Sequence, residues 1–535
     1  MNNNKFLKLP ISIKQASTIY LLIERLKDIK LFKDQKYFKN FKFLQFSLKC
    51  NRDIFDLNSA PLDTLFLIGL KKIKLSKELN LSLTPNQKLA YVVGYFYKTF
   101  KIALSLKNFS LLINEFFKFL IKVLISIIDA ALIFILSIFS IVKNKFNSNL
   151  SERLKDINHI YTFYFWKDKK LKSIEYYYPD FFNSDKSIAY VSNFYKYKSL
   201  FSGLLSIYKY NEIVSFLDFI TFKSLIKSYL QLFLIYIFDL RIFFKPTYGL
   251  IIKYFQSFKS LNSRLLSLLD YNCSKNLLRN YSIKNYYIWF ENQSSNKGLV
   301  LGLSNHTKFI IKRNINIYFY YGFIFSKNAL LQYTPSDFEL LNSNYINNQF
   351  LLQTKESAEE MKLVFLKKNL PCKVNTVRKS SKRYSMNSKY NIESDKKDRK
   401  SITIFAGHEI NELLLIFYKL FGEQNKNEIF PVNKSYEEIY IRLHPVLNED
   451  KIMNSLLKLK KDHNLIIPKI IFIDNKVESF GYSLKNSKIA VFANSTYINL
   501  ALSMNIDVIA VKTSFLSQPP IFQKYKGSNL VKSID

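Results

Sequence analysis

The chain has 535 residues, 48% of them apolar and 16% aromatic, which excludes a disordered protein and leaves room for several hydrophobic cores in roughly two to four domains. Its formal charge of +38 favours anionic partners such as phospholipid headgroups, nucleotide sugars or nucleic acid, but 11 glycines beside a surplus of Lys, Asn, Ile, Phe and Tyr are what AT-rich coding produces, so charge alone selects none of them. Three scattered cysteines, Cys50, Cys273 and Cys372, argue against a disulfide framework or a structural zinc site and fit a reducing compartment.

The opening "MNNNKFLKLPISIKQ" lacks the apolar core of a signal peptide. Residues 1–152 read as mainly helical, with apolar residues at helical spacing in "STIYLLIERLKDIKLF" and "QKLAYVVGYFYKTFKIALSL". Within them, Val123 to Val142 form a hydrophobic segment whose one charge is Asp129, between Lys118 and Lys122 on one side and Lys143 and Lys145 on the other. That length matches a bilayer core of about 30 Å. Three readings stand: a span, in which Asp129 is costly and the lysines set no orientation; a helix buried in a core; and a helix lying in the membrane interface. Membrane contact is the expectation, at the cytoplasmic face.

From 153 to 377, β-type runs ("HIYTFYFW", "SIAYVSNF", "EIVSFLDFI", "NYYIWFEN", "NINIYFYYGFIF") alternate with helical ones, the pattern of a parallel sheet in a wound α/β layer. Residues 378–400 carry nine basic side chains against three acidic ones and read as a basic surface linker. From 401 to 535 the alternation is cleanest: "SITIFAG", "EIYIRLHP", "KIIFID", "KIAVFANS" and "IDVIAV", several separated by stretches such as "HEINELLLIFYKLF" and "EDKIMNSLLKLKKDH". The expected fold is α/β, two Rossmann-like domains facing a cleft behind a mainly helical N-terminal region.

Ligands of such sheets sit outside the carboxyl ends of the strands, so the turns there matter most. Gly407 in "IFAGHE" would let backbone approach a ligand, with His408 after it. Arg442 and His444 close the next strand before Pro445. Asn494, Ser495 and Thr496 lie between an apolar run and a helix-like stretch, where hydroxyls and free N–H groups can meet a phosphate. An N-cap is the alternative role for Ser495 or Thr496, and a surface position or a pairing with an acid is the alternative for His444 and Arg442. In the first domain, Glu291 and His306 are the candidates for the base that an attacking hydroxyl requires; a cap or a partner for a linker lysine is the other reading of Glu291.

"IYIRLHP", followed by "SKIAVFANSTYINLALSMNIDVIAV", resembles the nucleotide-sugar half of GT-B-type glycosyltransferases. Upstream, "IYTFYFW", "YYIWFENQSSNKGLVLGL", "INIYFYYGF", "LLQYTPSDFELL" and "VNTVRKSSKRYS" resemble in order segments of a bacterial surface-carbohydrate biosynthesis family, thought to be glycosyltransferases of O-antigen or capsule assembly. The resemblance covers roughly 155–515. It implies that Ser495 and Thr496 contact the donor diphosphate with Arg442 and His444 nearby, and that Glu291 and Asn292 face the cleft. The sequence departs from that pattern at Leu500, where many relatives carry a ribose-gripping Glu, and at Tyr321, where a "Gly-x-Gln-His-Gly" turn would place His before the retained Gly322. The expected activity is that of a glycosyltransferase needing no metal and no cofactor, moving sugar from a nucleotide-sugar donor to a glycan or lipid-linked acceptor, with no specific nucleic acid as partner. A nucleotide-sugar epimerase, and a non-enzymatic basic protein binding membrane surfaces or nucleic acid, are the alternatives. No P-loop, His-Glu-x-x-His, Asp-x-Asp or Gly-x-Ser-x-Gly motif is present.

Overall fold

The computed structural model describes residues 106–146, 154–167, 186–195, 197–244, 261–280, 283–290, 294–322, 349–353, 355–367, 372–377, 401–407, 410–422, 438–444, 447–473, 487–492, 506–511 and 531–534, with isolated positions such as Phe43, Ile174, Tyr178 and Ala501. The two amphipathic runs read within residues 1–105 and the 378–400 linker lie outside these. The chain divides into two compact units, the first holding residues up to Gly322 and 331–381, the second 323–330 and everything from Lys382.

The first unit is built on seven parallel strands: β1 (His159–Trp166), β2 (Ser187–Tyr195), β3 (Ile213–Val214), β4 (Asn285–Trp289), β5 (Asn316–Tyr321), β6 (Gln349–Leu352) and β7 (Lys373–Thr376). Their order is β3-β2-β1-β4-β5-β6-β7. β1 and β4 pair in register as His159 with Asn285, Ile160 with Tyr286 and Tyr161 with Tyr287, so alternate residues divide between two faces. One face is covered by α4 (Leu261–Asn280) and α5 (Ser294–Ser304), and there Tyr190 donates from its hydroxyl to Asp270 Oδ1 on α4 at 2.6 Å. α5 lies close on α4 because Gly298 and Gly302 face it. A Cβ at Gly298 would come within 2.4 Å of the Ser267 carbonyl oxygen, and one at Gly302 within 2.1 Å of Ser274 Oγ.

The run "EIVSFLDFI" departs from the expected strand. Only Ile213 and Val214 pair, because Ser215 and Asp218 cap each other's backbone and wind Phe216–Asp218 into a single 3-10 turn. Local side-chain bonds of this kind compete with a ladder. Strands β6 and β7, with α7 (Lys355–Lys367) between them in the chain, are four residues each and mix polar with apolar side chains, so they do not stand out by apolar content.

Helix α1 (Leu106–Phe146) contains the segment 123–142 and packs on the first unit, against α2 (Leu200–Ile207), the 3-10 turn, α3 (Phe222–Phe244) and α4. Ser126, Asp129, Ala130, Ile133, Ser137 and Ser140 are its buried stripe, at helical spacing. Asp129 has a structural role there: its two carboxylate oxygens accept from the backbone N–H groups of Leu200 and Phe201 at 2.8 and 2.9 Å, and Asn262 Nδ2 donates to it at 2.6 Å. A carboxylate at the N-terminus of α2 satisfies free donors and meets the positive end of the helix dipole.

The second unit has six parallel strands, β8 (Ser401–Phe405), β9 (Glu438–Arg442), β10 (Lys469–Phe472), β11 (Ser487–Phe492), β12 (Asp507–Val511) and β13 (Val531–Ile534), in the order β10-β9-β8-β11-β12-β13. Five coincide with the runs read from the sequence; β13 does not. Ile402, Ile404, Ile439, Ile441, Val491 and Val511 share a core with the helices α8 (Ile410–Phe421) and α9 (Glu449–His463). α9 begins at Asn448, whose side chain accepts from Lys451 N, and ends at Asn464 in the left-handed region with φ 49°. Its acids sit in the first turn and its bases in the last, as the dipole favours. The opposite face of the sheet is more polar, with Thr403 and Ser487 hydrogen-bonded across strands.

Candidate functional site

Both sheets grow outward in two directions from their first strand. The direction reverses between β1 and β4 in the first unit and between β8 and β11 in the second. Helices crossing to opposite sides leave a crevice at such a point, outside the carboxyl ends of the two strands.

In the second unit three strand ends line up there. Phe405 pairs with Phe492 on one side and Arg442 on the other, which puts all three side chains on one face. The rings of Phe405 and Phe492 stack at 4.5 Å. Arg442 is 7% exposed, and its carbonyl accepts from Ala406 N at 3.0 Å, tying the start of the Gly407 turn to the end of β9. Gly407 itself is half-buried. His444, also half-buried, follows the buried Leu443, and its carbonyl accepts from Leu447 N at 2.9 Å as the chain turns toward α9. The structure thus brings Gly407, Arg442 and His444 to one sheet edge. His408, directly after Gly407, and Asn494, Ser495 and Thr496, beyond β11, lie outside the described residues. A permanently charged planar guanidinium beside a glycine turn is suited to holding phosphate oxygens.

The equivalent edge of the first unit is filled with rings. Trp289 N donates to Thr162 Oγ1 at 2.8 Å and Phe290 N to the Tyr320 carbonyl at 2.9 Å, while Tyr178 packs on Tyr320 at 4.7 Å and on Trp289 at 6.4 Å. Gly322 lies under the Trp289 indole, where a Cβ would fall 1.7 Å from a ring carbon. Gln353 Nε2 donates to Tyr320 Oη at 2.8 Å and the Tyr321 carbonyl at 3.2 Å. Tyr321 is fully buried between Phe290 and Phe350, so its ring belongs to the core and is no stand-in for an imidazole at the edge. Glu291 and Asn292 follow Phe290 and lie outside the described residues. His306 is not brought to this edge: α5 carries the chain away from the end of β4, and His306 sits in the turn between α5 and α6 (Thr307–Lys312), on the way to the start of β5.

Sequence reading missed the Phe405–Phe492 stack and the Thr403–Ser487 pair. Their signal, polar or aromatic residues at matching places in neighbouring strands, becomes visible only once the strand order is known. The described thiols are poor nucleophiles. Burial pushes Cys372 up to about 11, and it pushes Cys273, which lies 3.7 Å from Ser224 Oγ, above its ordinary value. Among the described residues no three or more His, Cys, Asp or Glu side chains gather where a metal ion could be held.

No family model matches the chain, and no curated protein matches it in sequence. Among solved structures it is similar to the S. aureus MnaA–UDP complex, with 11% identity, a TM-score of 0.37, and coverage of 70% of this chain and 83% of that one. An α,α-trehalose-phosphate synthase (UDP-forming) from Burkholderia vietnamiensis is similar at 9% identity and TM-score 0.37, over 70% and 88% of the two chains. The UDP-GlcNAc 2-epimerase from Neisseria meningitidis bound to UDP-GlcNAc is similar at 11% and 0.35, over 70% and 86%. The likeness is low by both measures, and the wound α/β fold stands on the two strand orders themselves.

Proposed function

We propose that this chain is a nucleotide-sugar-utilising enzyme of the glycosyltransferase type, with the donor held at the carboxyl edge of the second unit. The observation that carries the reading is the row Phe492–Phe405–Arg442, which sets a buried arginine at the strand end next to the start of the Gly407 turn, at the point of strand reversal. In the reaction the acceptor hydroxyl attacks the anomeric carbon, the bond from that carbon to the diphosphate oxygen breaks, and the hydroxyl proton passes to a base. Glu291 is the candidate for that base on the strength of the resemblance. Arg442 offsets the charge gathering on the leaving diphosphate, and the resemblance adds Ser495 and Thr496 as further donors to it. The acceptor is a surface glycan or a lipid-linked sugar, in line with the surface-carbohydrate segments of the sequence.

Thermal-shift screening against UDP-, GDP-, CMP- and TDP-sugars tests the donor, because binding to the native state raises apparent stability. Ser495→Ala with Thr496→Ala is expected to abolish the shift at about 1 kcal/mol cost in stability, the value of a lost cap. Unchanged binding by that double variant makes the two residues caps only. Incubation with the donor alone separates the reaction types: an epimerase alters the sugar's stereochemistry without acceptor, whereas a transferase releases nucleoside diphosphate only when acceptor is supplied.

A further inference from the structure

The polarity of α1 is inverted relative to a helix of a water-soluble surface. Between Lys122 and Lys143 its polar side chains, Ser126, Asp129, Ser137 and Ser140, are the ones that face the fold. Besides the Asp129 contacts, Tyr229 Oη donates to the Ala130 carbonyl at 2.6 Å, Ser140 Oγ and Tyr208 Oη are bonded at 2.7 Å, and Asn144 Nδ2 donates to the Leu217 carbonyl at 2.8 Å. The outward side is aliphatic and aromatic for roughly 30 Å of helix, with Leu124, Ile128 and Ile135 half or more exposed and Phe139 68% exposed. This surface continues onto α3, joined to α1 by the Phe134–Tyr229 edge contact, where Leu230 and Phe233 are 59% and 65% exposed. A monomeric soluble protein seldom leaves an apolar patch of this extent in water.

Charge decides what covers it. Lys122, Lys143 and Lys145 stand exposed toward the two ends of the apolar run on α1, and Lys223 and Lys227 stand exposed on the first half of α3. Asp129 and Asp239, the acidic side chains whose burial is described on these two helices, are both buried. Aliphatic faces rimmed by these lysines suit acyl chains beneath anionic headgroups, with the lysine stems reaching out to the phosphates. A span is a poorer fit, since Asp129 fastens α1 sideways to the N-terminus of α2 and crossing the bilayer would pull those polar contacts in with it.

We propose that α1 and α3 form a platform that seats the first unit on an anionic lipid surface, with α1 lying in the plane of the membrane. This stands apart from the donor reading and can fail without it. The test is flotation of the full-length protein with vesicles of phosphatidylcholine alone and of phosphatidylcholine with about one third phosphatidylglycerol, scaled to the roughly 1 kcal/mol a basic residue gains at an anionic surface. Expected is at least tenfold stronger partition onto the anionic vesicles, release of the bound protein by alkaline carbonate, and at least tenfold loss of binding in Ile128→Glu with Ile135→Glu. Circular dichroism checks that the variant is folded; where it is not, Phe139→Ser alone is expected to weaken binding severalfold. Undiminished binding by a folded variant overturns the platform, as does a wild-type protein that ignores both vesicles. Retention after carbonate overturns the in-plane placement. A dimer in solution that the glutamates dissociate, with no vesicle binding, assigns the face to a second copy instead.

Discussion

The two units share one strand plan and use its most valuable place differently. In each, the sheet reverses direction beside its first strand, yet at that edge the first unit has Trp289, Tyr178 and Tyr320 packed over Gly322, and the second has Arg442, Gly407 and His444. Topology therefore locates a place for ligands without filling it. The side chains at the strand ends decide what occupies it: rings around Gly322 in the first unit, and an arginine beside the stacked Phe405 and Phe492 in the second.

The sharpest way to break this contrast is Trp289→Ala. Removing a buried indole from the first edge is expected to cost about 3–5 kcal/mol of stability, read as a fall in melting temperature, while nucleotide-sugar affinity measured on the folded fraction stays at the parent value. A matching loss of affinity would mean that the first edge also holds the donor. Arg442→Ala is expected to do the reverse in emphasis: a loss of about 1.5–3 kcal/mol of nucleotide-sugar binding, tenfold or more in Kd by calorimetry, with Arg442→Lys failing to restore it because an ammonium cannot fork onto two oxygens. If only the melting temperature moves, Arg442 is a structural residue and the second edge resembles the first.

The smallest effect concerns polar groups buried in the two units. In the first unit burial raises the Asp270 carboxyl well above its ordinary value, opposed by the Tyr190 hydrogen bond, and its Oδ2 has no hydrogen-bond partner. The folded chain then holds a proton that the unfolded chain gives up near pH 4, so stability falls as pH rises from there through the folded value. Asp270→Asn keeps the acceptor for Tyr190 and removes the titration. It is expected to melt higher than the parent at pH 7, by on the order of 1 kcal/mol, and level with it at pH 3. Thr403 and Ser487 in the second unit are neutral, and Ser487→Ala should leave the pH profile unchanged.

The wound architecture was legible because β-branched and aromatic runs in this chain fall at strand spacing: β1, β4, β9 and β10 lie on "HIYTFYFW", "NYYIW", "EIYIR" and "KIIF". What escaped were β6, β7 and β13, whose four residues include a polar one or more ("QFLL", "KVNT", "VKSI"), and the fate of "EIVSFLDFI", where Ser215 and Asp218 outcompete a ladder that apolar content alone would favour. Gly407, Arg442 and His444 could be placed at one sheet edge from the sequence because they lie at or just past strand ends. His306 could not be placed from sequence, since nothing in "LSNHTK" tells how far a helix has carried it from the edge. Asp129 read as an obstacle to a membrane helix until the structure supplied Leu200 and Phe201 as its partners.

Gly298 and Gly302, where α5 rests on α4, bear on how this gene can change. Every glycine codon begins with two guanines, and replacing either by A or T gives only residues that carry a Cβ or a stop. At both positions a Cβ would lie within 3 Å of a backbone oxygen of α4, that of Ser267 or Tyr271. A genome drifting toward A and T would thus press on this helix crossing at four bases while the fold tolerates none of the outcomes cheaply. In such a genome the crossing would be a stretch of the gene where selection for packing acts directly against base composition.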